Sequence, residues 1–206
     1  MKPILFSGDM VRAILDGRKT QTRRIVKPQP ASGIRVSPFV KSGLEDGHGR
    51  EINSPYQVGN YLYVRETWKC VRYDSMDGNL GYEVEFKDGE RKYFEFDDNE
   101  RFHEFGKYAF KNGWQPSIFM PKEAARTFLV VTNVRVERLQ EIKGYEAIAE
   151  GVDVADVPDH TPLHRFNEAK RRFVRLWDSI YAKRGYGWNK NPYLWVYEFK
   201  RVEVQA

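Results

Sequence analysis

The chain has 206 residues, a formal net charge of +5 and one cysteine. This length suits one medium-sized domain, and the single Cys70 excludes an intramolecular disulfide and any zinc site built on a cysteine pair. The positive charge is compatible with a nucleic-acid partner, and no apolar segment approaches the roughly 18 residues that a membrane span needs. We therefore expect a monomeric, single-domain cytoplasmic protein without membrane association.

The first predicted elements are a short helix and a strand. Ser7 can cap a helix with Val11 and Ile14 on its apolar face, and Gly17 follows as a C-terminal stop. Residues 20–26 have the composition of a strand, so that alternate side chains face opposite sides.

The basic motif GRKTQTRR at residues 17–24 connects these two elements. Its cations and hydroxyls have no acidic residue among them, which indicates an anionic ligand or a polar reaction centre. An exposed edge strand is the alternative. The predicted strand places Thr20, Thr22 and Arg24 on one face and Gln21 and Arg23 on the other, with Lys19 at the start. The candidate ligand-contacting residues of this motif are Arg18, Lys19, Thr20, Thr22, Arg23 and Arg24.

The middle of the chain alternates between loops and strands. Residues 28–57, rich in proline and glycine, predict a long loop. In the segment 58–68, Leu62 and Val64 alternate with polar and aromatic residues, as in a strand buried on one side, and Glu66 continues on their face.

Residues 74–121 form a predicted insertion with a hairpin over 82–96, whose turn contains Asp88 and Gly89. The segment 126–139 has the strongest strand pattern, and its expected core residues are Leu129, Val131, Val134 and Val136.

A short helix ending at Gly151 and a long helix over about 163–182 follow. The expected core face of the long helix contains Phe166, Ala169, Phe173, Leu176, Trp177 and Ile180. Its opposite face is basic, and Arg171, Arg172 and Arg175 could form a phosphate track or an ordinary solvated surface. A closing strand begins near Tyr193, and this element order favours a small α+β barrel over a parallel βαβ fold.

Several kinds of chemistry are excluded or weak. His160 and His164 have the spacing of a metal pair, but Pro162 lies between them and indicates a loop. The H-x-E and P-C-x-x-C motifs of zinc nucleobase deaminases are absent, as are a Walker A loop and a G-x-G-x-x-G motif. We therefore expect no metal and no cofactor.

Four motifs in this order resemble an ASCH domain of the PUA-like superfamily: GRKTQTRR, VGNYLYVRETW, EAIAEGV and WNKNPYLWVYEF. Their spacing is similar to that of the longer prophage-type ASCH proteins. The resemblance implies one α+β domain over residues 1–206, a small PUA-like β-barrel with flanking helices and insertions around 28–57 and 74–121. It also implies a cleft that binds RNA or a modified nucleobase.

The resemblance extends to the small bacterial members similar to N(4)-acetylcytidine amidohydrolases. Their catalytic lysine, threonine and glutamate correspond here to Lys19, Thr22 and Glu150, and Arg24 matches the arginine of the motif. The sequence of the strand VRETW differs from that of those enzymes, so the resemblance assigns no catalytic role to its residues. The candidate substrate-contacting residues on that strand are Tyr63, Arg65, Glu66 and Trp68.

The residues themselves are compatible with amide cleavage, which needs a nucleophile, a base and an acid for the departing amine. A desolvated Lys19 with a depressed pKa could activate Thr22, and Glu150 could position water or carry the proton. Each residue also has a structural interpretation: a solvent-facing lysine, a strand threonine and a helix-end acid. Glu66 could equally form a structural ion pair, and Tyr63 and Trp68 could fill the core rather than stack on a base.

We therefore expect a protein that binds RNA or a modified nucleoside, with removal of an acyl group from the exocyclic amine of cytidine as the candidate reaction. The first alternative is a non-catalytic RNA-binding module in which Lys19 and Arg24 hold phosphates. A ribonuclease has less support, because no dense Asp/Glu cluster offers a divalent-metal site.

Overall fold

In a computed structural model of the chain, residues 1–74, 80–109, 111, 113–158 and 161–203 are described. The strands in this part are β1 Lys2–Leu5, β2 Gln21–Ile25, β3 Ile34–Val36, β4 Leu44–Asp46, β5 Tyr61–Arg65, β6 Trp68–Asp74, β7 Gly81–Phe86, β8 Arg91–Glu95, β9 Phe128–Arg138 and β10 Tyr193–Val202. The α-helices are α1 Gly8–Leu15, α2 Asn99–Ala109, α3 Gly144–Ala149 and α4 Pro162–Tyr181. The predicted α+β class is confirmed, and no sheet in the described part closes into a barrel.

The chain divides into two compact units. Unit 1 comprises Met1–Asp16, Asn60–Val130 and Arg201–Ala206, and unit 2 comprises Gly17–Gly59 and Val131–Lys200. The single domain over residues 1–206 stays a prediction.

Unit 1 contains one parallel strand pair, an antiparallel pair and a meander. Strand β1 pairs in parallel with β5, which pairs antiparallel with the first residues of β9. Strands β6, β7 and β8 form an antiparallel sheet in that order. Its predicted hairpin is confirmed: Gly89 has a φ of 87°, a conformation that favours glycine, and Glu90 N donates to Asp88 Oδ1 at 3.1 Å.

The core of unit 1 is aromatic. Phe105 stacks on Trp68 with ring centroids 5.1 Å apart and meets the edge of Tyr82 at 4.7 Å. The Tyr82 hydroxyl donates to Phe102 O at 3.0 Å, so that this buried phenol is hydrogen-bonded.

Unit 2 is built on the antiparallel pair of β2 with β10 and on the helices α3 and α4. The register pairs Trp195 with Arg24 and Tyr197 with Thr22. Helix α4 packs against α3, and a Cβ placed on Gly144 would lie 2.3 Å from Phe166 O. A larger residue at position 144 would therefore separate the two helices.

The helix boundaries agree with the sequence signals. The Ser7 side chain accepts from Met10 N at the start of α1, and Thr161 accepts from His164 N at the start of α4. None of the described helices is both long and apolar enough to cross a membrane.

Several sequence expectations need correction. The strand expected over residues 58–68 ends at Arg65 and β6 begins at Trp68 in another sheet, so Glu66 lies between two strands and does not continue the Leu62–Val64 face. Residues 28–57, expected to be a loop, contain the short hairpin β3–β4. Its strands have only three residues each, which is too short for an alternating apolar pattern to reveal them. Val134 and Val136 are half-buried rather than core. Leu176 is 46% exposed, because the buried stripe of α4 follows Ala169, Phe173 and Trp177 at four-residue intervals.

Candidate functional site

The motif GRKTQTRR meets the end of α3 inside unit 2. Thr20 N donates to Ala149 O at 2.9 Å, and Lys19 forms an isolated antiparallel bridge with Glu150. Glu150 is the C-cap of α3, and the next residue, Gly151, has a φ of 92°. This turn brings two segments 131 positions apart into contact.

The ammonium group of Lys19 is buried in this contact, with only 2% of the residue exposed. Its Nζ donates to Gln21 O at 2.9 Å, to Glu150 O at 2.7 Å and to Glu150 Oε2 at 3.2 Å. Burial lowers the pKa of Lys19 below its usual 10.5, and the Glu150 carboxylate offsets part of this shift. An amine with a depressed pKa beside a carboxylate is suited to proton transfer.

Arg23 joins the same carboxylate to two others. Its NH1 donates to Glu150 Oε1 at 3.1 Å and its NH2 to Glu137 Oε2 at 3.0 Å, with Glu146 Oε2 at 3.3 Å. Arg23 Nε is buried and has no hydrogen-bond partner in the described part of the chain. The Arg23 guanidinium therefore binds protein carboxylates and not, in this arrangement, a phosphate.

Arg135 on β9 extends the network. Its Nε donates to Glu137, its NH1 to Glu198, and its NH2 to Glu146 Oε1 at 2.6 Å. Glu146 Oε2 also accepts from Lys143 N at 2.8 Å, which fixes the first turn of α3. Several of the carboxylates are thus held by more than one donor.

An open cavity of about 390 Å³ lies against this network. It is lined by Gln21, Asn133, Arg135, Glu137, Glu141, Lys143, Tyr145, Glu146 and Glu198. Carboxylates outnumber cations in this lining, so the cavity suits a ligand with hydrogen-bond donors better than an anion.

The structure brings Lys19 and Glu150 together, as the resemblance implies, but it places Thr22 differently. By strand alternation, Thr22 and Arg24 lie on the opposite side of β2 from Gln21 and Arg23, which contact the charged network. Thr22 is buried on that other side, opposite Tyr197 in the register.

The two remaining candidates of the motif lie at the surface of unit 2. Arg18 is exposed and donates from NH1 to Gly151 O at 3.4 Å, and Thr20 is also exposed. Both side chains are accessible to a ligand, and their binding role stays a prediction.

Glu66, which lies between the end of β5 and the start of β6, belongs to a separate ion-pair network in unit 1. It is 2% exposed and accepts two hydrogen bonds from Arg126, at 2.9 Å to Oε1 and 2.7 Å to Oε2. Burial raises the pKa of Glu66, and the Arg126 guanidinium offsets part of the shift. Its partner is thus Arg126, not the Arg65 or Arg24 considered from the sequence.

Tyr63, Arg65 and Trp68 also lie in unit 1. Trp68 is fully buried against Phe105, and Tyr63 is 8% exposed, so both rings are part of the core. Arg65 NH1 donates to Ile118 O at 3.0 Å. Their contact with a substrate stays a prediction.

Sequence reasoning missed five members of the unit 2 network: Gln21 as a site residue, Arg135, Glu137, Glu146 and Glu198. Two signals existed. Arg135 and Glu137 are separated by one residue on a strand and so share a face, and Glu146 precedes Glu150 by four positions, one helical turn.

The structure describes only one member of the histidine pair. His164 is exposed on α4, and His160 lies outside the described residues. Among the residues that the structure describes, no group of three or more His, Cys, Asp and Glu side chains could hold a metal ion.

Comparisons with protein-family models, with curated proteins and with solved structures find no match for this chain. The membership in the ASCH family therefore rests on the motifs alone and stays a prediction.

Proposed function

We propose that this chain is an ASCH-type protein of the PUA-like superfamily that binds a modified nucleoside, free or in RNA, and hydrolyses an acyl group from the exocyclic amine of cytidine. The observation that carries the proposal is the buried contact of Lys19 with Glu150. It joins the two motifs in which the resemblance locates the catalytic lysine and glutamate.

The reaction needs one water molecule. The amide C–N bond breaks, a C–O bond forms at the acyl carbon, and the exocyclic nitrogen gains a proton. Lys19 in its neutral form can take a proton from the nucleophile, and Glu150, 3.2 Å from Lys19 Nζ, can carry it toward the leaving amine. The depressed pKa of Lys19 increases the fraction of neutral amine near pH 7.

The nucleophile is either water or the Thr22 hydroxyl. Because Thr22 leaves β2 on the side opposite to the charged network, the geometry favours water. Substitution of Thr22 by valine separates the two, since only a threonine nucleophile requires the hydroxyl.

In this arrangement the Lys19 ammonium donates to three protein oxygens, so a phosphate or the nucleophile reaches Nζ only after one of these bonds breaks. Lys19 and Glu150 are not among the residues that line the neighbouring cavity, so catalysis requires a local rearrangement that opens Nζ to the substrate. Arg23 is likewise engaged by three carboxylates. A ribonuclease that depends on divalent metal lacks a suitable ligand group in the described part of the chain.

The decisive experiment is hydrolysis of N(4)-acetylcytidine, free and in RNA, by the wild type and by Lys19→Met, Glu150→Gln and Thr22→Val. We expect Lys19→Met and Glu150→Gln each to lower kcat by about 10²-fold or more, the usual contribution of a general acid or base. Lys190→Met, which removes an exposed lysine, serves as the matched control and should retain full activity.

Thermal melting must accompany the kinetics, because Lys19→Met leaves Glu150 O and Gln21 O without their donor and should lower stability by about 1–3 kcal/mol. A wild type that releases no acyl group from any acylated cytidine would refute the hydrolase. Full activity of a folded Lys19→Met variant would refute the role of the lysine.

A second surface of unit 2 favours RNA over a free nucleoside. A cavity of about 560 Å³ along α4 is lined by Asn167, Lys170, Arg171, Val174, Arg175 and Trp188. Its lining contains three cations and no acid, next to a half-exposed indole that could stack on a base.

Charge reversal of this cavity tests RNA binding. Substitution of Arg171 and Arg175 by Glu should weaken binding of single-stranded RNA and reduce the dependence of affinity on salt. Unchanged RNA affinity would leave the free nucleoside as the substrate.

A further inference from the structure

We infer that Gln21 is a specificity-determining residue that donates a hydrogen bond from Nε2 to a ligand in the carboxylate-lined cavity. The ligand is a neutral nucleobase that presents an acceptor beside an N–H donor, and not an anion. The nucleoside class rests on the proposed function, while the role of Gln21 follows from the geometry below.

The first observation is an unpaired donor. Gln21 is 4% exposed, and its Nε2 is buried without a hydrogen-bond partner in the described part of the chain. Buried amide groups in folded proteins are almost always hydrogen-bonded, so an unpaired one calls for an explanation. Gln21 is also one of the residues that line the cavity. Since Nε2 itself is buried, a ligand acceptor in the cavity completes the hydrogen bonding of this side chain once the groups that cover Nε2 move aside.

The orientation of the amide is set by its other end. Arg135 NH2 donates to Gln21 Oε1 at 3.3 Å, and an arginine can only donate. Three carboxylates, from Glu137, Glu146 and Glu198, hold the Arg135 guanidinium in place. An exchange of the amide oxygen and nitrogen would bring two donors together, so the free end of Gln21 is the donor.

The second observation is the charge of the cavity. Four glutamates line it against one arginine and one lysine, and Arg23, which is outside the lining, pairs with two of these glutamates, Glu137 and Glu146, so an excess of one negative charge is left. A phosphate or a carboxylate would be repelled there, whereas an N–H group of a ligand would find acceptors. The exposed ring of Tyr145 in the same lining offers a face for a planar base.

A cytosine edge meets both requirements. Its N3 and O2 accept, and the neighbouring exocyclic N4 donates, also when it carries one acyl group. Gln21 Nε2 would serve the acceptor and a cavity glutamate the N–H. Replacing the donor at position 21 by an acceptor, or removing the N–H of the ligand, should therefore weaken binding.

The test measures affinity by calorimetry for three probes: cytidine, cytidine 5′-monophosphate and the pyrimidin-2-one ribonucleoside that lacks the exocyclic amine. We expect the wild type to bind cytidine most tightly. Gln21→Met, which keeps the length of the side chain and deletes the amide, should weaken cytidine binding by roughly three- to tenfold, the usual range for one hydrogen bond. Gln21→Glu, which retains an oxygen for Arg135 and replaces the donor by an acceptor, should weaken it further.

A merely structural role makes the opposite prediction for stability. Gln21→Met removes the unpaired Nε2 together with the Oε1 that accepts from Arg135 NH2 at 3.3 Å. Because Arg135 keeps its three carboxylate partners, the melting temperature should change little while the cytidine affinity falls. Gln140→Met, an exposed glutamine outside the cavity, is the matched control and should bind cytidine as the wild type does. If Gln21→Met fails to fold, Gln21→Glu provides the same comparison.

The outcomes separate this inference from the proposed hydrolysis. Selective cytidine binding that depends on Gln21, without turnover of N(4)-acetylcytidine, would support the inference and refute the hydrolase. Turnover with unchanged KM and kcat in both Gln21 variants would refute the inference and leave the hydrolase standing. Tighter binding of the 5′-monophosphate than of cytidine, or no nucleoside binding at millimolar concentration, would also overturn the inference.

Discussion

Units 1 and 2 each contain a buried glutamate paired with arginine, but the two networks differ in how completely they are hydrogen-bonded. In unit 1, Arg126 uses Nε, NH1 and NH2 for Glu66, Asp88 and Glu90, and its guanidinium lies 4.1 Å from the centre of the Phe86 ring. In unit 2, Arg23 Nε and Gln21 Nε2 are buried without partners in the described part of the chain.

This difference separates a structural network from a candidate site. A network in which each charge has a partner stabilises its surroundings, whereas one with unpaired donors beside a cavity can bind something else. The burial of a charged residue does not distinguish the two cases, since Glu66 and Lys19 are equally buried. Within these two networks the hydrogen-bond partners differ, although Arg65 Nε and Trp68 Nε1 of unit 1 are likewise buried without partners in the described part of the chain.

The largest expected effect tests the cores on which the two networks rest. Phe105→Ala in unit 1 and Phe173→Ala in unit 2 should each lower the free energy of unfolding by about 3–5 kcal/mol, because both rings are buried and their removal leaves a cavity. Denaturant melts measure the loss. A change below about 1 kcal/mol for Phe173→Ala would mean that the buried face of α4 is misassigned.

The next effect distinguishes the networks directly. Arg126→Met leaves Glu66 buried without its partner and should lower the free energy of unfolding by about 2–4 kcal/mol. If the Glu66 network is structural, the folded fraction should hydrolyse N(4)-acetylcytidine at the wild-type kcat. Arg91→Met, which removes an exposed ion pair with Glu85, is the control and should change stability by less than about 1 kcal/mol. Loss of hydrolysis in folded Arg126→Met would assign a functional role to unit 1.

Alkaline pH provides a smaller, paired test. Burial raises the pKa of Tyr82 in unit 1 and of Tyr197 in unit 2 to about 12, from the usual 10.0. Between these pH values the unfolded chain loses the phenolic proton and the folded chain keeps it, so stability falls as pH rises, by about 1–3 kcal/mol for each tyrosine.

Tyr82→Phe and Tyr197→Phe should each flatten this decline in denaturation curves recorded from pH 9 to pH 11.5. A decline of the same steepness in either variant would show that the corresponding phenol ionises without unfolding.

The smallest effect on stability is expected at the surface of unit 2. Arg171 is exposed and pairs with Glu168 one turn earlier on α4, so Arg171→Ala should change the free energy of unfolding by less than about 0.5 kcal/mol. If the basic cavity holds RNA, the same variant should lower the slope of log affinity against log salt by about 0.7 for one lost phosphate contact. Unchanged binding together with unchanged stability would make this face an ordinary solvated surface.

Much of the secondary structure could be predicted from the sequence, since local signals are sufficient for it. Ser7 begins α1, the periodic apolar residues of α4 place it within a residue at each end, and the Asp88–Gly89 turn defines a hairpin. The hairpin β3–β4 could not be predicted, because its strands are too short to show a period. Leu176 was misplaced because apolar character alone does not decide which side of a helix stripe is covered.

The residues of the candidate site could be predicted only in part from the sequence. The basic motif and the E-G-V segment pointed to Lys19 and Glu150, whose contact the structure contains. The alternation of β2 separated Gln21 and Arg23 from Thr22 in the sequence already, but nothing local indicated which of the two faces meets the carboxylates.

The amino-acid sequence by itself determined α1, α3 and α4, most of the longer strands and the turn of the β7–β8 hairpin, because these depend on backbone preferences and on apolar periodicity over a few residues. It did not predict helix α2 or strand β6. Only the tertiary structure decided which charges are partners. Lys19 meets Glu150 across 131 positions and Glu66 meets Arg126 across 60, and ion pairing leaves no periodic trace between such distant segments. The same packing desolvates Lys19 and leaves Gln21 Nε2 unpaired, because burial is a property of all the surrounding segments together.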